Sequence, residues 1–536
     1  MEKEVNTIPV DSSNEISHVA DFFTGCNILI TGGSGFVGKL LVEKLLRSCP
    51  NLNKIYLLTR PKKGKSSSER YKEQFEDVVY DRLKLEQPDF ASKVVLVEGQ
   101  LGEIGWKMSQ DDRDLLKNSH IVFHAAATVR FDEKLRYAVD INIRGTKELL
   151  LFAREMPQLK AFVHIGTAFS HCVSKVIDEV FYKPPVGCDE LLKLVDILDD
   201  STLENITPGI IGKWPNTYAF TKTIGEDVIK KHSNNLPVCI VRPSIMIPTS
   251  EEPVCGWINN LYGATGVVFG AGIGVIRTLH CKIENVADII PADYVINNII
   301  VAAWDIHNQH SMKSLEFTEI KSIDDNENDQ VADVDIEPPI YNSVSSCQNP
   351  ITWGEYMKYN EVYGLNIPSA LSVWYYCFTL NRYLWLHNIY VIFTHLLPAI
   401  IIDTLARLTG RKPMLLDTYK KIHKFSGVIS YFCTQQWQFR NDNVMKLWKK
   451  LPSKDRKIFY FNLGELSWPS YFKKHILGVR LYLLNDPAET IPAALIKYKR
   501  LKYAHYGLMT VVYIFGIWLG YHILRFYISI LNYIFF

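Results

Sequence analysis

The stretch at 27–38, "NILITGGSGFVG", constrains the fold more than any other part of this chain. An apolar run of strand length leads into Thr31-Gly32-Gly33-Ser34-Gly35-Phe36-Val37-Gly38, and "KLLVEKLLRSC" follows with helical periodicity. Gly32, Gly35 and Gly38 are spaced for a tight strand-turn-helix in which backbone approaches a pyrophosphate. The anion would then rest on the unpaired N–H groups at the helix N-terminus. A glycine-rich turn alone says little. One bracketed by a strand and a helix near the start of the chain predicts an α/β domain that holds a dinucleotide.

Further apolar runs recur at α/β spacing: "KIYLLTRPKK" (54–63), "KVVLVEG" (93–99), "HIVFHAAA" (120–127), "AFVHIGTAF" (161–169) and "PVCIVRP" (237–243). Helical segments such as "INIRGTKELLLFARE" separate them. The alternation predicts a doubly wound parallel sheet, whose strand ends face the ligand crevice. Ala125 and Ala126 of "HAAA", Thr167 of "GTAF" and Pro243 and Ser244 of "RPS" are thereby expected beside the cofactor. At the end of the second run Thr59-Arg60 stands where an acid would bind a ribose hydroxyl, with Lys62 and Lys63 close behind. An acid repels a ribose 2′-phosphate and an Arg pairs with it, so NADPH is expected over NADH.

Downstream, "NTYAFTKTIGE" (216–226) sets Tyr218 and Lys222 four residues apart on one helix face. Taken alone, such a pair is most often ordinary surface. Combined with the hydroxyl of Thr167 at a strand end, it suits reduction of a carbonyl. A phenol can supply the proton, a nearby ammonium lowers the phenol's pKa, and the Thr hydroxyl can hold the substrate oxygen.

Net charge is +2, so nucleic acid has no general attraction to the chain. The ten cysteines are scattered without a C-x-x-C pair, which argues against a zinc site or a disulfide framework and for a reduced, cytosol-facing chain. The N-terminal residues lack an apolar core of signal-peptide length. From Tyr503 to Leu524 no Lys, Arg, Asp or Glu occurs, which is long enough for one membrane-spanning helix. The basic "KYKRLK" (497–502) before it places the large N-terminal part in the cytosol. The final "FYISILNYIFF" is expected to lie in the interface or re-enter.

T-G-x-x-G-x-x-G, a Thr at a central strand end and Y-x-x-x-K together resemble the extended short-chain dehydrogenase/reductase superfamily. More specifically, the chain resembles the fatty acyl-CoA reductases, through "ITGGSGFVGKLLVEKLLRSCP", "FHAAATVRFDEKL", "VRPSIMIPTSEEPVCGWINN", "NPITWGEY", "YFCTQQWQF" and "LSWPSYFKKHILGVRLYLL". The resemblance implies a Rossmann-type α/β domain, a mainly helical C-terminal domain and NADPH-dependent reduction of a long-chain acyl-CoA to a primary alcohol, with CoA released. It implies that Tyr218, Lys222 and Thr167 are catalytic. The turn from Gly32 through Val37 would hold the dinucleotide, with Arg60 at its phosphate. Asn142 matches an Asn that orders a relay water, although an Asn bonding local backbone reads equally well. Departures are Gly166 where a Ser is usual, and Gln100 where an Asp would bind the adenine amino group.

The expected layout is an N-terminal tail (1–22), a reductase domain (23–320), an acidic flexible insertion (321–339), a helical domain (340–490) and an anchor (503–524). The apolar, six-glycine stretch 256–276 is expected as a loop lining the acyl channel. "NIYVIFTHLLPAIII" (388–402), broken by Pro398, is expected as a buried or interfacial helix, and the aromatic region 431–471 as helical-domain core. Membrane lipid is the expected partner, the endoplasmic reticulum the first candidate membrane and the peroxisome the second. A membrane-bound reductase of a sterol or other apolar carbonyl, and a non-catalytic NADPH-binding scaffold, are the competing readings.

Overall fold

The computed structural model describes residues 16–60, 64, 66–323 and 337–535. Lys62, Lys63, the first fifteen residues and most of the acidic insertion lie outside them. The chain divides into two compact units that interleave in sequence. One comprises residues up to Asn259, Asn285–Thr352 and Gln435–Tyr471; the other comprises Asn260–Glu284, Trp353–Thr434 and Phe472 onward. The contiguous boundaries expected at 320 and 340 therefore do not follow the packing.

The first unit is built on seven strands: β1 (Asn27–Thr31), β2 (Lys54–Thr59), β3 (Val94–Glu98), β4 (Ile121–His124), β5 (Ala161–Ile165), β6 (Val238–Pro243) and β7 (Ile340–Ser343). They form one sheet in the order β7-β6-β5-β4-β1-β2-β3, every pair parallel. β1, β4, β5 and β6 are buried along their whole length, as strands covered by helices on both faces must be, which is why they read as unbroken apolar runs. The strand order reverses between β1 and β4, so a crevice opens at their carboxyl ends. β7 corrects the sequence reading. The expected layout puts "IYNS" in the helical domain, yet it pairs with β6 and its polar residues are buried.

Helix α1 (Phe36–Ser48) follows the glycine turn. Helix α2 (Thr217–His232) is capped by Asn216, whose side chain accepts from the Ala219 N–H at 2.8 Å. It ends in Lys230, Lys231 and His232, which complement the negative end of its dipole. Of the aromatic region 431–471, residues 435–471 also belong to this unit rather than to a separate helical core. Its Trp437 donates to the Cys172 carbonyl at 2.9 Å and packs edge-on against Phe169, with Phe439 on the same ring.

The second unit is mainly helical. Its stretch at 263–272, expected as a loop, is a helix (Gly263–Gly272) with most of its residues buried. Two of its helical segments are long and apolar enough to cross a membrane: Leu384–Leu408 and Ala488–Phe535. The first continues through Pro398 without a break and is largely exposed, not buried. Pro398 lies in its first α-turn after a π-helical turn (Ile392–Leu396), where a missing N–H costs least. The second contains an unbroken α-helix from Ile491 to Phe535, so the last residues extend the helix rather than re-enter.

Candidate active site

The glycine turn is held by close approaches that only glycine permits. Gly32 has φ +73°, and a Cβ there would come within 2.7 Å of the Ala126 nitrogen. A Cβ on Gly38 would lie 2.2 Å from the Gly32 carbonyl oxygen. Between them Gly35 donates to the Gly32 carbonyl at 2.9 Å, and exposed Ser34 forms the tip. Phe36 and Val37 open α1, with Phe36 stacked on Trp257. The turn therefore presents the N-terminus of α1 to the crevice, with Ala125 and Ala126 drawn in beside it.

A buried chain of hydrogen bonds fixes this arrangement. The Ala126 N–H donates to Thr31 Oγ1 (3.2 Å), and Thr31 Oγ1 meets His124 Nδ1 (2.8 Å). His124 Nε2 meets Thr146 Oγ1 (2.9 Å), and Thr146 donates to the Asn142 carbonyl (2.8 Å). The chain closes consistently if His124 is neutral and carries its proton on Nε2. Burial, with the nearby Lys222 charge, pushes His124 down to about 3, which keeps it neutral.

Asn142 sits in a π-helical turn, Asp140–Arg144. Its amide accepts from the Thr128 N–H (3.0 Å) and donates to Thr221 Oγ1 (2.9 Å). It thereby ties the loop after β4 to α2. These partners are distant in sequence rather than local.

Tyr218 and Thr167 are brought together, the Thr167 hydroxyl lying close enough to the Tyr218 phenol to favour its ionised form. Thr167 also donates to the Pro243 carbonyl at 3.4 Å and accepts from the Phe169 N–H at 3.3 Å. Burial pushes the phenol up to about 12, and the neighbouring Thr167 hydroxyl offsets only part of that rise. Burial pushes Lys222 down to about 8, with Glu226 opposing it. Lys222 donates to the Ile165 carbonyl at 2.9 Å. The expected lowering of the phenol by the ammonium is thus not found: desolvation dominates both groups, and Tyr218 stays a neutral acid at physiological pH.

Beneath Lys222 lies an ion cluster that sequence reading missed. Glu226 accepts from Arg242 Nε (2.9 Å) and Nη2 (2.7 Å) and meets His171 Nε2 at 2.7 Å. Arg242 is fully buried and donates also to the Asp178 and Val180 carbonyls. Burial disfavours the carboxylate, but Arg242 and His171 outweigh it and hold Glu226 well below the usual range. The signal was available, since Glu226 continues the spacing of Tyr218 and Lys222 by another four residues. Gly166 abuts this pair, its absent Cβ 3.5 Å from Glu226 Oε1.

The outlying residues are less engaged. Arg60 follows β2 and donates to the Tyr137 hydroxyl at 2.7 Å. Gln100 follows the edge strand β3 and donates to Glu103 at 3.3 Å. Ser244, just past β6, has a buried hydroxyl with no partner.

These features fit a dinucleotide. The glycine cradle would be filled by a single Cβ, the N-terminus of α1 favours phosphate, and the buried Lys222 ammonium has N–H donors beyond the one given to Ile165. Comparison with known proteins agrees. The family described as male sterility protein matches residues 30–299 with its NAD-binding part and residues 394–486 with its Sterile part. The chain is 39% identical over 509 residues to the fatty acyl-CoA reductase wat of Drosophila melanogaster, covering 95% of this chain and 93% of that protein. It is 35% identical to fatty acyl-CoA reductase 1 of Xenopus laevis, covering 92% of each. Among solved structures, the reductase domain of a non-ribosomal peptide synthetase from Mycobacterium tuberculosis superposes with a TM-score of 0.53 at 15% identity, over 87% of this chain and 96% of that one, a likeness of fold. The chain belongs to the fatty acyl-CoA reductases.

Proposed function

We propose that this chain reduces the thioester of a long-chain fatty acyl-CoA to a primary alcohol with NADPH, and that Tyr218, Thr167 and Lys222 carry the chemistry. The observation that supports it is the convergence of Tyr218 and Thr167 at the carboxyl end of the sheet, beside a turn fit for a dinucleotide. NADPH when bound would supply hydride. Thr31 to Gly38, Ala125, Ala126, Pro243 and Ser244 would hold it, with Arg60 at the 2′-phosphate and Gln100 toward the adenine.

Thr167 Oγ1 positions the carbonyl oxygen, and the Tyr218 O–H delivers the proton that oxygen needs. With the phenol near 12 and the ammonium near 8, Lys222 is the group that exchanges protons close to neutral pH, while its other donors would bind ribose hydroxyls of the dinucleotide. Glu226 and Arg242 set the charge beneath Lys222, and Asn142 holds the loop after β4 against α2. A thioester needs two reductions to become an alcohol. The first releases CoA thiol and leaves an aldehyde, which the same three residues would handle next. The helix ending at Phe535 would anchor the protein in the membrane where substrate and product reside.

Membranes bearing the protein, given NADPH and a mixture of acyl-CoAs, should yield free CoA and fatty alcohol. Aldehyde as the sole product would overturn the second reduction. Turnover supported equally by NADH would overturn the role of Arg60.

A further inference from the structure

The helical segment Leu384–Leu408 is built inside out. Its inward stripe recurs every fourth residue and is polar: His387, His395 and Asp403 are buried, together with Ala399. Each of the three polar side chains has a hydrogen-bond partner within the second unit, although His395 Nδ1 is left without one. His387 Nδ1 meets Thr278 Oγ1 at 3.0 Å, and His395 Nε2 accepts from the Arg277 N–H at 2.9 Å. Asp403 accepts from the backbone N–H groups of Met414, Leu415 and Leu416, capping the next helix. The outward face is the apolar one. Phe393 is 63% exposed, Ile401 51% and Leu408 79%, with Trp385, Leu397 and Leu405 on the same surface. In water this polarity is the wrong way round, and an apolar face of this length, broken by exposed Asn388 and Thr404, exceeds what a soluble surface carries.

Two observations decide what covers it. The segment is bounded by exposed Tyr383 and Trp385 at one end and exposed Arg407, Arg411 and Lys412 at the other, with Lys420 and Lys421 on the helix that follows. Aromatic and basic flanks suit an anionic lipid headgroup layer. At 25 residues the segment is about 37 Å long, sufficient to span a bilayer. Its polar stripe, however, is fastened to the strand pair Thr278–His280 and Thr379–Asn381, next to which Arg382 and Glu284 form an exposed ion pair at 2.9 Å. A helix fastened sideways to a solvated body cannot cross hydrocarbon without dragging that body in.

We propose that Leu384–Leu408 is a monotopic docking surface that lies in the plane of an anionic bilayer leaflet, its apolar face sunk to the headgroup–acyl boundary. This contact is separate from the helix ending at Phe535 and holds the second unit flat against the membrane.

The test uses the full chain in vesicles of phosphatidylcholine and phosphatidylserine doped with a photoreactive phosphatidylcholine. The carbene precursor sits either near the glycerol or at the acyl chain end, and adducts are mapped by mass spectrometry. Leu85 and Ile197, exposed aliphatic residues of the first unit, give the background. The glycerol-proximal probe should label Phe393, Ile401 and Leu405 alike, and the chain-end probe should label them less. Adducts at background level along 384–408 would overturn the membrane contact. Chain-end adducts peaking in the middle of the segment, with glycerol-proximal adducts at its ends alone, would mean a spanning helix and overturn the in-plane placement.

Discussion

Replacing Glu226 with Gln should cost more stability than any other single polar change in the first unit. The carboxylate receives two hydrogen bonds from Arg242 and one contact from His171, all between 2.7 and 2.9 Å, with both Glu226 and Arg242 out of solvent. A neutral amide at this position would leave a buried guanidinium without its counter-charge, a change worth about 3–5 kcal/mol. With a urea m-value of about 3 kcal/mol/M, the midpoint of the full-length protein in detergent should fall by about 1–2 M. Glu226→Asp, which keeps the charge, should recover part of the loss. The pH dependence has a definite sign. Because the carboxyl is held below its ordinary value, its contribution is complete above about pH 4.3 and drains away as pH falls further. The gap between parent and variant should therefore narrow in acid. A variant within about 0.5 kcal/mol of the parent at neutral pH would refute the reasoning, since a charge left unpaired in a dry site cannot be that cheap.

Gly38→Ala places a Cβ 2.2 Å from the Gly32 carbonyl, so the turn must open; dinucleotide affinity measured by fluorescence titration should fall at least about tenfold, or about 1.4 kcal/mol. Arg60→Glu should weaken NADPH by about 10–100-fold, the loss of a charge-assisted pair, while leaving NADH nearly unchanged. Activity should decline as pH rises through about 8, where Lys222 loses its proton; a partly active Glu226→Asp variant, whose shorter side chain draws the same charge away from Lys222, should move this limb to lower pH in a pH–rate profile.

The helix of Tyr218 and Lys222 and six of the seven sheet strands were legible because parallel strands buried on both faces leave apolar runs, and because glycine spacing and Y-x-x-x-K are local in sequence. β7 was hidden by its composition: Asn342 and Ser343 break its apolar run, and Asn342 is tolerable in the sheet because its side-chain amide donates to the Arg440 carbonyl. The tuning of Tyr218 was misread for a related reason. Charge proximity can be guessed from i, i+4 spacing, whereas desolvation depends on what the rest of the chain packs around the phenol. Glu226, Arg242 and His171 come from a helix, a strand and a loop, and their union is a tertiary fact. The inversion of Leu384–Leu408 was equally out of reach, since only the fold tells which stripe of an apolar helix faces inward.

The account stands most directly on Tyr218→Phe in the full-length membrane-bound protein, assayed for alcohol formation beside a titration of NADPH binding. Dinucleotide affinity should be unchanged, because the phenol neighbours Thr167 rather than the glycine turn, while kcat for acyl-CoA falls by about 10²–10⁴-fold, the contribution of a positioned general acid. Turnover within about tenfold of the parent would contradict the assignment of Tyr218 as the proton donor.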